Sequence, residues 1–451
     1  MSDTEEYKTT LHRQHNHVQS IFENALGEVA PGRLLANQVS YDGRFLKIGN
    51  ESIECGDESG IRVFGVGKAA GAMAESIEYV LGDAIEDGIV IAPYDDQHSF
   101  NRIQLFEAAH PLPDENSLAS ALEMMSVMKK VEEGDLIIFL LSGGASSLAC
   151  VPAGELDLQD IRKTNQALMN SGATIHEMNS VRRHLSEIKG GNLARILPQC
   201  TVAQLIISDV PGNHLQDIGS GPLVPDSSTY EDALDVIYKY NLADQIPQQV
   251  QVHLLEGMQG HNPETLKHDE TTEAEIFSYN LASSQIIAEA AGTYARSIGY
   301  NCHVFDPAYT GQTRVIARQM AGKSIDILSR NTTVSKPAAI IYHGESYPEV
   351  TGSGKGGRNQ ELALCFALAV EGQHCITMIS AGTDGVDGPT DAAGAICNSE
   401  TALEARRSGH EPEYYLRNND SHTFFKAMNS LVHTGPTGTN VMDLQIILIE
   451  K

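Results

Sequence analysis

The sequence predicts an α/β protein made of two α/β domains, the larger N-terminal one built on a mostly parallel, Rossmann-like sheet. Three observations carry this expectation. Short apolar runs recur along the chain, each closing on a loop that contains Gly or Asp. Several of these loops lead into residues with the apolar spacing of an amphipathic helix. The chain has 451 residues, too many for one typical domain, and its 41% hydrophobic share is enough for two cores. Strand–loop–helix alternation implies buried parallel strands, with ligands held beyond their carboxyl ends.

The elements follow in chain order. Ile61–Val66 reads as the first buried strand. After Lys68, apolar residues at Ala70, Met73, Ala74, Ile77 and Leu81 keep helical spacing. Further apolar runs at 88–92, 136–141 and 203–207 read as strands of the same sheet. Residues 240–275 are polar and rich in Gln, His and Glu, which places the boundary there: domains 1–250 and 251–451. Beyond it, 338–342 and 375–379 read as strands, and Leu362, Cys365, Phe366, Ala369 and Val370 give a helix after Arg358. The last run, 444–449, is free to join either sheet.

Charge narrows the function. Lys and Arg number 31 against 59 Asp and Glu, a formal charge of −28. That argues against a nucleic-acid surface, which needs a basic stripe, and against docking on anionic membranes. An anionic substrate must then be met by local cations and backbone N–H groups. The seven cysteines are an odd number without a CxxC pair, as expected of isolated thiols in a reducing compartment. The N-terminus MSDTEEYKTT has no apolar signal core, and no apolar run approaches a membrane span. These observations predict a cytoplasmic protein. His12, His15 and His17 read as surface histidines, since no second ligand set accompanies them.

Six loops have the composition of chemistry. In FGVGKAAGAM, Gly65 and Gly67 end a strand and Lys68 opens a helix, which suits a phosphate at the helix N-terminus. The same residues also read Gly65-x-Gly67-x-x-Ala70, a dinucleotide fingerprint, so a reductase using a nicotinamide cofactor is the rival, with Asp95 as ribose partner. The bland alternative is a tight strand–helix turn. LLSGGASSL places Ser142, Gly143, Gly144 and Ser146 just past a strand, where small residues suit an anion or carboxylate. The segment 177–191 is basic, with Arg182, Arg183 and Lys189, and reads equally as a solvated helix face or an anion site. Asp209 follows the strand 203–207, where a carboxylate can hold Mg²⁺ or take a proton. GSGKGGRNQE joins Gly354, Lys355, Gly356 and Gly357 to Arg358 at a helix start, the strongest phosphate-loop signal in the chain. Asp384, Asp387 and Asp391 follow another strand, and one or two of them are expected to be turn formers.

No Walker A loop exists. Lys68 and Lys355 lack a following Ser or Thr, and Lys323-Ser324 lacks the upstream Gly because position 317 is Ala. A Ser hydrolase elbow is also absent, since Leu148 stands where its last Gly belongs. Several glycine loops with dispersed cations and acids at strand ends suit phosphoryl transfer, which needs positioning and charge neutralisation. A reductase would use only the first loop.

Read in order, these loops resemble the MOFRL-type (class II) glycerate kinases. The matching stretches run from FGVGKAAGAM through LLSGGASSL, the segment 171–194, ISDVPGN and GSGKGGRNQELAL to SAGTDGVDGPTDAAGA and the segment 420–449. The resemblance implies an active site in the interdomain cleft, ATP and Mg²⁺, and transfer to the 2-hydroxyl of glycerate to give 2-phosphoglycerate and ADP. It implies Lys68 as the catalytic lysine and Arg358 as the motif arginine, both neutralising the transferred phosphoryl group. On that reading Asp209, Glu345 and Asp384 hold metal, with Asp209 also the proton acceptor. The nucleotide falls to Gly65, Gly67, Gly354, Lys355, Gly356, Gly357 and Asn440. Ser142, Gly143, Gly144, Ser146 and Arg182 take glycerate. The alternative is an NAD(P)H-dependent hydroxypyruvate reductase. A homodimer is compatible with the family and with nothing more specific.

Overall fold

The computed structural model describes residues 3–56, 59–330 and 334–450. They fall into two compact units, one of residues 34–281, the other of residues through Arg33 together with those from Ala282 on.

The unit 34–281 begins with a small antiparallel sheet of β1 (Val39–Tyr41), β2 (Phe45–Ile48) and β3 (Glu51–Glu54). Its main sheet holds β4 (Ile61–Val66), β5 (Ile85–Pro93), β6 (Gln104–Ala108), β7 (Leu136–Ser142), β8 (Thr201–Ile207) and β9 (Glu275–Ala282), in the order β6-β5-β4-β7-β8-β9. The pairs from β6 across to β8 are parallel. β4 and β7 are buried along their whole length, which is why they read as unbroken apolar runs. The helix Ala70–Leu81 buries Ala70, Met73, Ala74, Ile77 and Leu81, the residues its spacing selects. From β4 the chain winds outward to β5 and β6, then returns as β7 on the other flank of β4. The winding therefore reverses between β4 and β7, and in open α/β sheets ligands bind at the carboxyl ends beside such a reversal.

The other unit carries a mixed sheet of β10 (Asn301–Val304), β11 (Tyr309–Gln312), β12 (Ala338–Tyr347), β13 (Ile376–Gly382), β14 (Gly394–Asn398), β15 (Leu431–Val432) and β16 (Asp443–Ile449). β16 lies between β12 and β13, antiparallel to both. The last strand thus completes the second sheet and does not return to the first.

Two expectations change. Contacts divide the chain at 281/282, not at 250, because β9 is the edge strand of the first sheet and the polar stretch before it includes the helix Gln248–Met258, packed in the same unit. The N-terminal residues belong with the second unit, because the helix Asp3–Glu28 packs on β13, β16 and the helix Ser284–Ser297. Gln14 on that helix is buried, giving its side-chain N–H to the Cys375 carbonyl at 3.1 Å and accepting from Thr377 at 2.9 Å. His12 is exposed as expected, but His17 is half-buried against the Tyr300 hydroxyl at 3.0 Å. All seven cysteines are free. Among the described residues no helix is long and apolar enough to cross a membrane.

Candidate active site

At the carboxyl ends of β4 and β7 the two loops interlock. The Lys68 N–H donates to the Gly143 carbonyl at 2.9 Å, and the Ala69 N–H donates to the Ser142 hydroxyl at 3.0 Å. Gly144 sits in the left-handed region at φ +85°, where a side chain would lie 3.2 Å from Lys68 Cγ and 3.1 Å from His110 Cδ2. A side chain on Gly143 would overlap the Asp209 carboxylate. Lys68, Ser142, Gly143, Gly144 and Asp209, all named from sequence, therefore meet at one sheet end. His110 joins them and was missed, because it follows β6, a half-exposed edge strand without an apolar run. Burial first, and the Lys68 charge second, push the His110 pKa down to about 4, so its imidazole is neutral at neutral pH.

The first glycine loop is a packed turn. The N–H groups of Gly67, Lys68, Ala69 and Ala70 donate to Ile91, Gly143, Ser142 and Gly67 respectively. The phosphate cradle expected at Gly65 and Gly67 needs those donors, and they are taken. This counts against a dinucleotide fingerprint as well.

Beside this loop, Ser146 and Ser220 hydroxyls lie 3.1 Å apart, and Ser220 also donates to Asn179 Oδ1 at 3.1 Å. Ser220 holds φ +63° between Gly219 and Gly221, both also left-handed, a costly conformation for a residue with a side chain. Arg182 donates through Nε to Asn165 at 3.0 Å and through Nη1 to Asn179 at 3.4 Å. Arg183 points elsewhere: fully buried, it bridges Asp217 at 2.6 Å and Asp226 at 2.9 Å. Arg183 is thus no part of a solvated face, because the carboxylates that fix it lie 34 and 43 positions further along the chain.

In the other unit, β12, β16 and β13 set Gly344, Asp443 and Gly382 side by side. Arg358, at the start of the helix Arg358–Ala369, donates to Asp443 through Nε at 2.7 Å and Nη2 at 2.9 Å, and through Nη1 to Glu345. Burial alone would lower the Arg358 pKa, but Asp443 and Glu345 outweigh it and hold the guanidinium above its ordinary value. Asp443 is 1% exposed, and burial pushes its carboxyl up to about 6 against the pull of Arg358. A side chain on Gly382 would come 3.3 Å from Asp384 and 3.5 Å from Asp443. Glu345, Arg358 and Asp384 are therefore neighbours, and Asp443 is the member that sequence reading missed. Its signal was a carboxylate opening the apolar run 444–449.

The 351–357 loop departs from expectation. Its N–H groups from Thr351 to Lys355 donate to Asn418, Asn419 and Asp420. Side chains at Gly352 and Gly354 would overlap that same segment. The glycines permit close packing, so Gly354 and the Lys355 amide do not form a phosphate cradle, while the Lys355 side chain remains exposed. Asp387 caps the Arg358–Ala369 helix, accepting from the Asn359 and Gln360 N–H groups at 3.0 and 2.9 Å. Asp391 pairs with His422 at 2.9 Å. Asp387 thus serves as a helix cap and Asp391 as an ion-pair partner. Asn440 accepts from the Met442 N–H at 3.3 Å, closing the turn into β16. Among the described residues no three His, Cys, Asp or Glu side chains gather as a metal site.

Comparison with known proteins now decides the family. A model described as a domain of unknown function, DUF4147, matches residues 17–255, and the MOFRL family model matches 338–443. A D-glycerate 2-kinase of Thermotoga maritima is 41% identical over 85% of this chain and 89% of its own length. This chain belongs to the MOFRL-type glycerate kinase family. The crystal structure of a Thermotoga maritima glycerate kinase has a TM-score of 0.84 at 36% identity, covering 97% of this chain and all of that one. A family relative in Agrobacterium vitis, provisionally named hydroxypyruvate reductase, is 40% identical over 86% of each chain.

Proposed function

We infer that the chain transfers the γ-phosphoryl group of ATP to the 2-hydroxyl of glycerate, giving 2-phosphoglycerate and ADP. The observation that carries this is the convergence of Lys68, Asp209, His110 and the Ser142–Ser146 loop at the point where the sheet reverses its winding. The kinase names of the relatives above support the same reaction. That both units serve one reaction, as an active site in the interdomain cleft requires, is part of the proposal and rests on their complementary chemistry.

In this reading the Lys68 ammonium neutralises charge on the phosphoryl group in flight, and Asp209 accepts the proton of the glycerate hydroxyl. Neutral His110 orients that hydroxyl without adding a second positive charge beside Lys68. Ser142, Ser146 and Arg182 take the substrate carboxylate. Arg358 uses three of its five N–H donors on Asp443 and Glu345, leaving two for a phosphate oxygen. Mg²⁺ typically takes one or two protein carboxylates and completes its shell with water and phosphate, so Asp384 and Glu345 fit as its donors. When bound, Mg²⁺ supplies charge neutralisation on the nucleotide phosphates. Free cysteines throughout support a reducing, cytoplasmic setting.

The reductase reading has one observation in its favour, the name given to the Agrobacterium vitis relative. Against it stand the amide groups of the first loop, which are already bonded. One pair of assays separates the two. With glycerate and ATP-Mg²⁺, ADP is released and phosphorus NMR places the product phosphate on the 2-oxygen. Consumption of NADH or NADPH with hydroxypyruvate, and no ADP from glycerate, would overturn the kinase reading. Lys68→Met lowers kcat by roughly 10²–10³-fold or more while its melting temperature stays close to that of the parent; undiminished turnover removes Lys68 from the mechanism.

A further inference from the structure

Arg62, Arg183 and Lys189 are the buried Lys and Arg side chains among the described residues. Arg62 meets Asp87, Glu86 and Asp135 at 2.5, 2.8 and 3.3 Å. Arg183 meets Asp217 and Asp226. Lys189, only 4% exposed, has no carboxylate within ion-pair distance among the described residues. Its ammonium gives one hydrogen bond, to the Ala149 carbonyl at 3.3 Å, and two of its three protons have no described acceptor. Arg182 likewise contacts neutral side chains only, Asn165 and Asn179. Burial pulls the Lys189 pKa down, Cys150 opposes that shift, and the positive charge of Arg182 adds to it. Burying unpaired charge is costly, and burying two like charges together more so. The missing element is an anion.

The backbone fixes where that anion goes. The Gly190 N–H donates to the Ser220 carbonyl at 3.0 Å and the Gly191 N–H to the Gly221 carbonyl at 2.8 Å, so Lys189 enters beside the left-handed Gly219–Gly221 turn. Ser220 then reaches Ser146 and Asn179, and Asn179 reaches Arg182. Ala149, which holds the Lys189 ammonium, ends the short helix on which Ser146 sits. Ser146 and Arg182 are half-buried and reach solvent, whereas Lys189 and Ser220 are buried. Two cations and two hydroxyls are thus tied together through Asn179, Ala149 and the Gly219–Gly221 turn, and Ser146 lies in the loop that begins at Ser142.

We propose that Lys189 and Arg182 together recognise the substrate's carboxylate, with Ser146 and Ser220 completing the contact, so that this pocket selects a 2-hydroxy acid over a neutral polyol. The inference rests on the glycerate kinase reading and adds Lys189 and Ser220 to it. Substrate charge, not shape alone, is what the pocket measures, because an uncharged analogue leaves both cations uncompensated.

The test begins with the wild-type enzyme. Its turnover of glycerate is measured first; no turnover overturns the reading of function and this inference with it. Given turnover, Lys189→Met raises the KM for glycerate roughly 10- to 100-fold, the loss expected for one charge-assisted hydrogen bond, with kcat and the KM for ATP within a few-fold. Lys189→Arg recovers part of the loss. The melting temperature of ligand-free Lys189→Met stays level or rises, since a buried unpaired charge has gone. An unchanged KM for glycerate overturns the proposal. Should Lys189→Met fail to fold, the wild-type protein still decides: glycerate raises its melting temperature and glyceramide, the neutral isostere, does not. Equal protection by the two overturns the proposal.

Discussion

Arg183 and Lys189 stand six positions apart in one basic segment, are both buried, and have opposite surroundings. Arg183 is neutralised by Asp217 and Asp226, so it holds the fold; Lys189 waits for an external anion. Sequence lists both as basic and cannot separate them, because the deciding carboxylates come from another segment. Among the acids the position is the same. Asp384 and Asp387 both follow β13, yet Asp387 is turned onto the helix beginning at Arg358 and takes the Gln360 side chain as well at 2.9 Å. Burial pushes its carboxyl up to about 6 in spite of those bonds. Asp387→Ala leaves the Asn359 and Gln360 N–H groups without their acceptor, while the Gln360 amide keeps Thr390; this costs roughly 2–4 kcal/mol at about 1–3 kcal/mol for each unsatisfied group. Thermal melts of that variant should show a drop on the order of 5–10 °C. A drop within a degree would mean that the cap contributes nothing.

Among whole elements, buried strands were the most legible. β4 and β7 are apolar because both faces are covered, and continuous hydrophobicity signals that directly. The helix Arg358–Ala369 shows the limit. Its spacing reads as amphipathic, yet every residue from Asn359 to Ala367 is buried, since it packs against Thr313–Arg330, Pro412–Arg417 and Ser421–Ala427 as well as the sheet. Polar residues such as Asn359, Gln360 and Glu361 are then tolerated because each is hydrogen-bonded within the unit. The helix Asp3–Glu28 left no strong signal, being polar in composition, but it contributes Leu11, Val18, Ile21, Phe22 and Ala25 to the core. Deleting residues 3–33 uncovers β13 and β16, so the truncated protein should bind a hydrophobic dye and lose its cooperative melt. A cooperative melt with unchanged midpoint would show that the helix is dispensable.

Over the whole molecule, the charge of −28 keeps basic partners of the fold few, and acid response follows from which groups titrate differently on folding. Glu177 and Glu264 are held down to about 2, both against the opposing effect of burial, by Lys239, Thr174 and Tyr240 in one case and by His184, Tyr230 and Lys267 in the other. Their contribution is present above the ordinary carboxylate value of 4.5 and is lost as pH falls toward 2. His110, His15 and His253, lowered mainly by burial, weaken the fold as pH falls below 6.5; Asp387 and Asp443, pushed up to about 6, strengthen it over much of the same window. The expected curve of melting temperature is therefore shallow from pH 6.5 to about 5 and steep below 4.5. A steep fall already between 6.5 and 5 would assign acid sensitivity to the histidines instead. By itself the sequence determined the α/β class, the strands, the glycine loops and the cations and acids at strand ends, because each of these is a pattern of neighbouring residues. Only the folded chain decided that the amides of Gly67 to Ala70 and of Thr351 to Lys355 are taken by packed neighbours, that Asp443 and Glu345 hold Arg358, and that the N-terminal helix completes the distant unit. Those outcomes depend on which remote segment fills a donor or covers a face, and residue order along the chain carries no local record of that.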